Sequence, residues 1–400
     1  MADAARSRAG PGLGTEDASS PKIVSIVGTR PEAIKMEPVV RALAERGLEQ
    51  EIILTGQHRG IASTFDFLPA GQVRELAINM EEQSAGEISE TIHFELCDRL
   101  DRREASLVIV QGDTSTAYAG AMAARDRSIA LAHVEAGLRT HDLQQPWPEE
   151  GNRVTIDALA DLLFAPSEQA ARNLAAEPAI QGTVHVTGNS GIDALFAAPP
   201  APSCLPPPEE GCKRILLTCH RRENQGEPLR QIARACRRMA RELPVEIVLP
   251  LHPNPQLRRT LERLLGGVAH IRLVEPLGHR ATISLMAESW LVLTDSGGIQ
   301  EEAPALGKPV LVLRNVTERA EAIETDNAEL VGTDADRIVR AVTRLVEDED
   351  RYRRMATPSL PFGDGHASAR IADAIEQFLA GPTQPPVSLR FARPDGEGLL

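Results

Sequence analysis

The chain has 400 residues, of which 42% are apolar, and a formal net charge of −14 from 57 acidic and 43 basic side chains. At roughly 150 residues per domain, this length predicts two or three domains. Only 3% of the residues are aromatic, and an acidic surface repels nucleic-acid phosphates and anionic lipids. We therefore expect no nucleic-acid partner and no membrane partner, and an anionic ligand would need a local basic pocket.

The cysteines and the two ends of the chain indicate the cellular environment. There are five cysteines, an odd number, with no Cys-x-x-Cys pair, which favours reduced thiols over a disulfide framework or a zinc cluster. No apolar run approaches the ~18 residues of a membrane helix, and residues 1–21 lack the apolar core of a signal peptide. We expect a cytoplasmic protein with loose tails at residues 1–21 and 381–400.

Short apolar runs alternate with longer helical patterns along the chain, which is typical of parallel sheets covered on both faces. A proline-rich stretch at 198–211 divides these runs and predicts a linker. The runs are 23–27, 52–55, 107–110, 131–134, 184–187, 215–218, 247–249, 271–274, 291–293 and 310–313. The pattern predicts an α/β fold with two Rossmann-like domains, 22–197 and 212–365, the first completed by a C-terminal helix at about 366–380. Because ligands bind beyond the carboxyl ends of parallel strands, we expect the site in a cleft between the two domains.

Carboxylates follow two of the apolar runs in the first half. Asp113 comes after the run 107–110 and Glu135 after the run 131–134, and a third acid, Glu149, lies in a proline-rich loop. Acids at the ends of buried strands would enter the cleft together. Structural interpretations remain open, because Asp113 could cap the next helix and Glu135 could pair with Arg139 four residues later.

Basic side chains also follow strand ends. Arg30 stands at the start of the first helix with Lys35 one turn on, where a phosphate could bind, although Arg30 could simply be solvated. His220 follows a strand of the second half and could be a general acid, a diphosphate ligand or a histidine at a helix start. His252 repeats this arrangement more weakly. Neither histidine has a cysteine or an acid at metal-ligand spacing, so we expect no metal.

The sharpest local pattern lies at 294–302, where a buried strand ends in Ser296, Gly297 and Gly298. Bare backbone amides at a helix start form a cradle for phosphate, although Ser296 could be a plain helix cap. Glu302 lies farther along, where a carboxylate could bind ribose hydroxyls, and Arg319 adds positive charge after a later strand. The second half is therefore predicted to bind a nucleotide diphosphate, with the acids of the first half facing its substituent.

Taken together, these motifs strongly resemble those of the non-hydrolysing UDP-N-acetylglucosamine 2-epimerases. The matching stretches lie between Lys22 and about Leu379, in family order and at family spacing, at 28–36, 112–114, 133–140, 146–150, 220–223, 294–304, 307–312, 317–319 and 363–365. The resemblance implies the glycosyltransferase type B fold and reversible conversion of UDP-N-acetylglucosamine into UDP-N-acetylmannosamine, by elimination of UDP to 2-acetamidoglucal and re-addition. No dinucleotide fingerprint is present, so transient oxidation is disfavoured and no cofactor is expected.

The resemblance also implies roles for individual residues. Asp113, Glu135 and Glu149 would be the acid/base carboxylates, and His220 would assist the departure or return of UDP. The residues implied to bind the substrate and its nucleotide are Arg30, Lys35, Ser296, Gly297, Gly298, Glu302 and Arg319.

Relatives are commonly homodimers, and bacterial relatives often bind a second UDP-N-acetylglucosamine as an activator. The residues that could form this second site are Gln57, Gln83, Arg222 and His252. Gly60 and Glu82 stand where relatives tend to have a longer polar side chain and an arginine, so we expect activation to be weak or absent.

Three other functions compete with this interpretation. A hydrolysing epimerase would release free N-acetylmannosamine and UDP, because water reaches the glycal before UDP returns. A type B glycosyltransferase would share the fold and the diphosphate site but would need an acceptor, and it explains the three carboxylates less well. A nucleotide-sugar sensor without activity would not need them at all.

Overall fold

The computed structural model describes residues 22–58, 60–76, 78, 85–101, 104–198 and 205–381. The predicted tails, except for Gly381, and the middle of the predicted linker (199–204) lie outside these ranges. The strands in the described part are β1 (Lys22–Val27), β2 (Glu49–Leu54), β3 (Val73–Glu75), β4 (Ala105–Gln111), β5 (Ala130–Val134), β6 (Leu162–Ala165), β7 (Thr183–Val186), β8 (Lys213–Thr218), β9 (Val245–Pro250), β10 (Ile271–Val274), β11 (Leu291–Thr294), β12 (Val310–Val312) and β13 (Ala328–Leu330).

The helices of the same ranges fill the segments between the strands, with two short 3₁₀ turns at Ala62–Phe65 and Arg222–Asn224. They are α1 (Arg30–Glu45), α2 (Ala85–Arg99), α3 (Ser115–Asp126), α4 (Glu149–Leu159), α5 (Glu168–Ala176), α6 (Ser190–Ala197), α7 (Glu227–Glu242), α8 (Pro255–Leu265), α9 (His279–Glu288), α10 (Gly297–Ala305), α11 (Ala320–Glu324), α12 (Ala335–Glu347), α13 (Glu349–Met355) and α14 (Ala367–Leu379).

The strands form two parallel sheets, which confirms the predicted α/β class. The first has the order β3-β2-β1-β4-β5-β6-β7 and the second the order β10-β9-β8-β11-β12-β13, and every paired strand runs parallel to its neighbour. In both sheets the order reverses beside the first strand, between β1 and β4 and between β8 and β11. Such a switch point opens a crevice at the carboxyl ends of the strands.

Each sheet is buried on both faces, which is why its strands read as continuous apolar runs. In β1, Ile23 and Val27 belong to one apolar cluster, and Val24 and Ile26 belong to the cluster on the opposite face. The second sheet is likewise enclosed between two clusters. No helix in the described ranges is long and apolar enough to cross a membrane.

The last helix, α14, returns to the first domain. It packs against α1, and its Ile371 and Ile375 are buried in the same cluster as Ile23 of β1. Helix α6 lies between the domains, because it packs against both α1 and α10 and buries Ile192 and Leu195 in a cluster of the second sheet.

The two segments that connect the domains lie side by side. The backbone N–H of Asn189 donates to the carbonyl of Phe362 at 2.6 Å. Gly188 (φ 88°) and Gly363 (φ 124°) meet at the same point, where a Cβ on either would lie 3.0 Å from the Cα of the other. Glycine is needed at both positions because the backbone is left-handed and a side chain would collide with the other segment.

Candidate active site

Side chains at the carboxyl ends of the two sheets meet across the cleft between the domains. Arg319, which follows β12, donates from Nη2 to Oε1 of Glu135, which follows β5, at 3.1 Å. Nearby, Arg153 of α4 lies 3.4 Å from Glu318. One predicted acid, Glu135, and one arginine of the first domain, Arg153, therefore contact charged residues of the second domain.

Glu135 is the centre of this contact. It is buried, has a φ of 70° that turns the chain sharply after β5, and accepts hydrogen bonds from Lys35 Nζ, Gln111 Nε2 (2.7 Å) and Arg319. Burial acts to raise the pKa of Glu135, but the Lys35 ammonium and the Arg319 guanidinium outweigh it and hold the pKa below its ordinary value. Glu135 is therefore kept ionised.

Glu135 does not pair with Arg139. The Arg139 guanidinium instead lies 2.7 Å from Asp157 Oδ2 and 2.7 Å from Glu177 Oε1. Asp157 also lies 2.6 Å from Nδ1 of the buried His133, whose Nε2 is 2.8 Å from the carbonyl oxygen of Gly112. This buried network holds the carbonyl of Gly112 and so fixes the backbone immediately before Asp113.

Asp113 follows a turn at Gly112, where φ is 70°, and it does not cap the next helix. The cap of α3 is Thr114, whose hydroxyl accepts from the Ala117 backbone N–H at 3.1 Å. The Asp113 carboxylate instead lies 2.7 Å from Nε and 2.6 Å from Nη2 of Arg153. A guanidinium fork thus orients this carboxylate.

Glu149 is the first residue of α4, so it lies on a helix and not in the proline-rich loop expected from the sequence. The side chain of Asn152 donates to the carbonyl of Asp113 at 2.8 Å, which ties α4 to the second acid. Oε2 of Glu149 is buried without a hydrogen-bond partner among the described residues. Burial, together with the nearby charge of Asp113, raises the pKa of Glu149. Glu135 and Glu149 are therefore shifted in opposite directions, as in sites that pair an acid with a base.

The turn after β1 joins this group of acids. Oε2 of the buried Glu32 accepts from the backbone N–H groups of Gly28 and Thr29 at 2.5 and 2.9 Å, and Oε1 accepts from the hydroxyl of Thr114. Burial raises the pKa of Glu32 to about 7. A Cβ on Gly28 would lie 2.0 Å from the Thr116 hydroxyl, so only glycine allows the turn to pack against α3.

The glycine-rich pattern begins α10. Ser296 occupies the cap position, but its side chain makes no capping hydrogen bond, so it is not a plain side-chain cap. A Cβ on Gly297 would lie only 2.7 Å from Cζ of Arg319, whereas on Gly298 it would meet only Glu302 Oε1, at 3.8 Å. Arg319 therefore packs directly on the start of α10.

Arginine side chains surround one buried glutamate beside this cradle. Glu318 is fully buried at its side chain and forms ion pairs with Arg153, Arg221, Arg314 and Arg319. Burial acts to raise the pKa of Glu318, but these cations hold it well below its ordinary value. Nε and Nη1 of Arg314 are buried without hydrogen-bond partners among the described residues. Arg314 therefore retains hydrogen-bond donors that a further anion could use.

His220 lies at the end of β8 beside a buried acid. Its backbone N–H donates to the Asp295 carboxylate at 3.0 Å, and its Nδ1 is 3.3 Å from Asp295 Oδ1. Asp295 is fixed in turn by Asn224 Nδ2 at 2.9 Å. The His220 ring is 42% exposed and stacks on His252 with centroids 5.8 Å apart.

The remaining predicted residues are placed as follows. The exposed Arg30 donates from its backbone N–H to His58 Nδ1 at 3.1 Å. Glu302 Oε1 lies 3.8 Å from His279 Nε2. Gln57 Oε1 accepts from the Thr116 hydroxyl at 3.0 Å. Gln83 and Glu82 lie outside the described residues, as does the side chain of Arg222.

Sequence reasoning missed several residues on which the site depends. Gln111, Arg153 and Asp295 each hold a predicted side chain in place. Arg314 and Arg319 lie four residues before and one residue after Glu318, which is a usable signal. No local spacing links Arg153 to Asp113 or to Glu318.

Comparisons with known proteins identify relatives that match most of the chain. Residues 41–376 match the family described as UDP-N-acetylglucosamine 2-epimerase. A relative from Ralstonia solanacearum, a probable UDP-N-acetylglucosamine 2-epimerase, is 43% identical over 90% of this chain and 100% of its own length. The structure of S. aureus MnaA with UDP is similar at a TM-score of 0.83 and 40% identity, covering 92% of this chain and 99% of that one.

A further solved structure, the Neisseria meningitidis UDP-GlcNAc 2-epimerase bound to UDP-GlcNAc, has a TM-score of 0.81 and 37% identity, covering 89% of this chain and 100% of that one. These matches confirm the expected fold and extend over nearly all of the described residues. The chain therefore belongs to the UDP-N-acetylglucosamine 2-epimerase family.

Proposed function

We propose that this protein interconverts UDP-N-acetylglucosamine and UDP-N-acetylmannosamine without hydrolysis, by eliminating UDP to form 2-acetamidoglucal and adding UDP back. The position of Arg319 is the observation that carries the proposal. Its guanidinium bonds Glu135 at 3.1 Å and packs 2.7 Å from the Cβ position of Gly297. One side chain thus joins the acid cluster to the phosphate cradle, so that a sugar carbon next to a diphosphate would lie among the carboxylates.

The chemistry explains why both halves are needed. The C2 hydrogen of the sugar is not acidic, because no carbonyl is adjacent to C2. In elimination, the C1–O bond breaks, its electron pair leaves on the diphosphate oxygen, and the C2 proton passes to a carboxylate as the C1–C2 double bond forms. Re-addition of a proton to the opposite face of C2 and of UDP to C1 gives the epimer. The reaction therefore needs acid/base groups on two faces and a binding site for the departing anion.

The three carboxylates are suited to the proton transfers. Glu135, which Lys35 and Arg319 keep ionised, can accept a proton, and Glu149, whose pKa is raised by burial, can donate one. Asp113 is oriented by Arg153 and is the third acid/base group. Its charge also helps Glu149 to retain a proton.

The second domain is suited to binding UDP. The backbone amides of Gly297 and Gly298 lie in the first turn of α10, whereas that of Ser296 donates to the Thr294 hydroxyl at 2.9 Å. The arginines around Glu318 supply positive charge. We assign His220, oriented by Asp295, to the departing diphosphate, and Glu302 to the ribose. Arg30 and Lys35 approach from the first domain. The UDP in the S. aureus structure and the UDP-GlcNAc in the N. meningitidis structure support this substrate class.

Incubation with UDP-N-acetylglucosamine in deuterated water, followed by NMR, tests the proposal. We expect UDP-N-acetylmannosamine with deuterium at C2, and deuterium also at C2 of the recovered substrate, without any acceptor. Accumulation of free N-acetylmannosamine and UDP would instead indicate a hydrolysing epimerase. A need for an acceptor would indicate a glycosyltransferase, and binding without turnover a sensor.

We also infer that activation by a second UDP-N-acetylglucosamine is weak. Gly60 has no side chain to offer a nucleotide sugar, and a Cβ there would meet nothing within 4 Å. UDP-N-acetylmannosamine should therefore react when supplied alone, and a strict requirement for added UDP-N-acetylglucosamine would contradict this. The homodimer remains a prediction, which light scattering would test.

A further inference from the structure

Three side chains of metal-ligating types converge in the first domain where α2 packs against α3. His93 and Cys97 lie four residues apart on α2, and Asp126 is the last residue of α3, which packs against α2. Their donor atoms, His93 Nε2, Cys97 Sγ and Asp126 Oδ2, all lie within 4.8 Å of one another. We call these three residues the α2–α3 cluster.

The spacing of the donor atoms suits a tetrahedral ion. His93 Nε2 lies 3.4 Å from Cys97 Sγ and 2.8 Å from Asp126 Oδ2. Zinc with ordinary bond lengths would require about 3.6 Å between sulfur and nitrogen and about 3.4 Å between nitrogen and oxygen. The nitrogen–sulfur distance nearly fits. The nitrogen–oxygen distance needs only a small rotation of Asp126, whose side chain is 54% exposed.

The helix fixes the first two ligands. Side chains at positions i and i+4 lie on one helix face, the same spacing that places two histidines on one metal in helical zinc motifs. A His93–Asp126 ion pair accounts for two members of the cluster. Cys97 packs against the apolar cluster of the first sheet, and its sulfur adds a third donor beside the same nitrogen atom.

The charge of the cluster suits a divalent cation. With Cys97 as a thiolate, Cys97 and Asp126 together carry two negative charges, and the neighbouring Asp98 and Arg127 oppose each other. A bound cation would take the Cys97 sulfur as a thiolate and would release the thiol proton to solvent, as metal binding to cysteine does generally.

We propose that His93, Cys97 and Asp126 bind a divalent cation of the zinc class. Nitrogen, sulfur and oxygen donors from two packed helices form a borderline-soft set that favours zinc over magnesium or calcium. A fourth position remains for water. The ion would join α2 to α3. Sequence reasoning expected no metal, because it considered only the surroundings of His220 and His252, and because the third ligand comes from a different helix.

A second group, Glu209, Cys212 and His270, also brings three donor atoms within 4.8 Å. These residues lie in turns outside the helices and strands of the second domain, so no helical spacing fixes two of them together, and Glu209 and His270 are exposed. We therefore assign the metal to the α2–α3 cluster and use Cys212 as the matched control.

Cobalt titration of the untagged, chelator-treated full chain tests the proposal. We expect one Co²⁺ per chain with a thiolate-to-cobalt charge-transfer band in the near ultraviolet, and its loss when Zn²⁺ is added. Cys97→Ser should abolish the band and Asp126→Asn should weaken Co²⁺ binding at least tenfold, whereas Cys212→Ser should leave both unchanged. Circular dichroism checks that each variant is folded.

A second measurement on the unaltered protein avoids any dependence on variants. Zn²⁺ should protect Cys97 from alkylation by iodoacetamide, as read by peptide mass spectrometry, and should leave Cys212 as reactive as before. Absence of the cobalt band in the unaltered chain, its persistence in Cys97→Ser, or equal alkylation of Cys97 with and without Zn²⁺ would overturn the assignment.

Discussion

Replacing Gly297 by alanine should destabilise the second domain, whereas the same change at Gly298 should not. A Cβ on Gly297 would lie 2.7 Å from Cζ and 2.8 Å from Nη1 of Arg319, but a Cβ on Gly298 would meet only a carboxylate oxygen at 3.8 Å. Both residues belong to the first turn of α10, and neither has a left-handed φ. The two variants therefore differ mainly in whether the new methyl group overlaps another side chain.

Arg319 cannot readily move aside, because its Nε bonds Glu301 at 2.7 Å and its Nη2 bonds Glu135 at 3.1 Å. Forcing an extra methyl group into a packed site typically costs about 1–3 kcal/mol. The gain in helix propensity from glycine to alanine, at most about 1 kcal/mol, applies to both variants and cancels in the comparison. Gly297→Ala should therefore be less stable than Gly298→Ala by about 1–3 kcal/mol.

Thermal unfolding of both variants in parallel measures this difference. For a domain of 150–250 residues, each kcal/mol corresponds to about 2–4 °C in Tm, so the two melting temperatures should separate clearly. Gly297→Ala should also bind UDP more weakly, because a displaced Arg319 loses its contact across the cleft. Equal melting temperatures for the two variants would refute the close packing of Arg319 on α10.

Three further substitutions test the site. Asp113→Asn should lower turnover by about 10²–10⁴-fold while calorimetry shows unchanged UDP affinity, and unchanged turnover would refute its role. Glu302→Ala should weaken UDP binding about tenfold, or about 1.4 kcal/mol, and an unaltered Kd would count against the ribose contact. Burial raises the pKa of Glu301 to about 7, so folding takes up a proton there. This proton stabilises the folded state, and its contribution is fully present below the ordinary glutamate pKa and is lost as pH rises through about 7. In the Glu301→Gln variant, Tm should therefore depend less on pH over this interval than in the unaltered protein, with the remaining slope due to Glu32. A slope equal to that of the unaltered protein would contradict a buried proton on Glu301.

Most strands were predictable from the sequence because they read as short apolar runs. Ten apolar runs correspond to ten strands, but β3, β6 and β13 were missed. β3 and β13 are three-residue strands at sheet edges, too short to produce an apolar run. β6 follows α4 after only two residues, so its apolar run merges with the apolar face of the helix.

The site was predictable only in part. Asp113 and Glu135 were found because the end of a buried strand is a strong local signal. The partners of these acids were not, because Arg153 reaches Asp113 from a later helix and Arg319 reaches Glu135 from the other domain. The four-residue spacing from Glu135 to Arg139 wrongly suggests an ion pair on a helix, because these residues lie in the segment after β5 and not on a helix face.

The paired crossings at Gly188 and Gly363 limit how the protein can be divided. Truncation after α6 would remove α14 and uncover the apolar side of α1 on which Ile371 and Ile375 pack. An isolated N-terminal fragment would therefore be incomplete, and a circular permutant that joins α14 to the chain before β1 would keep this lobe whole.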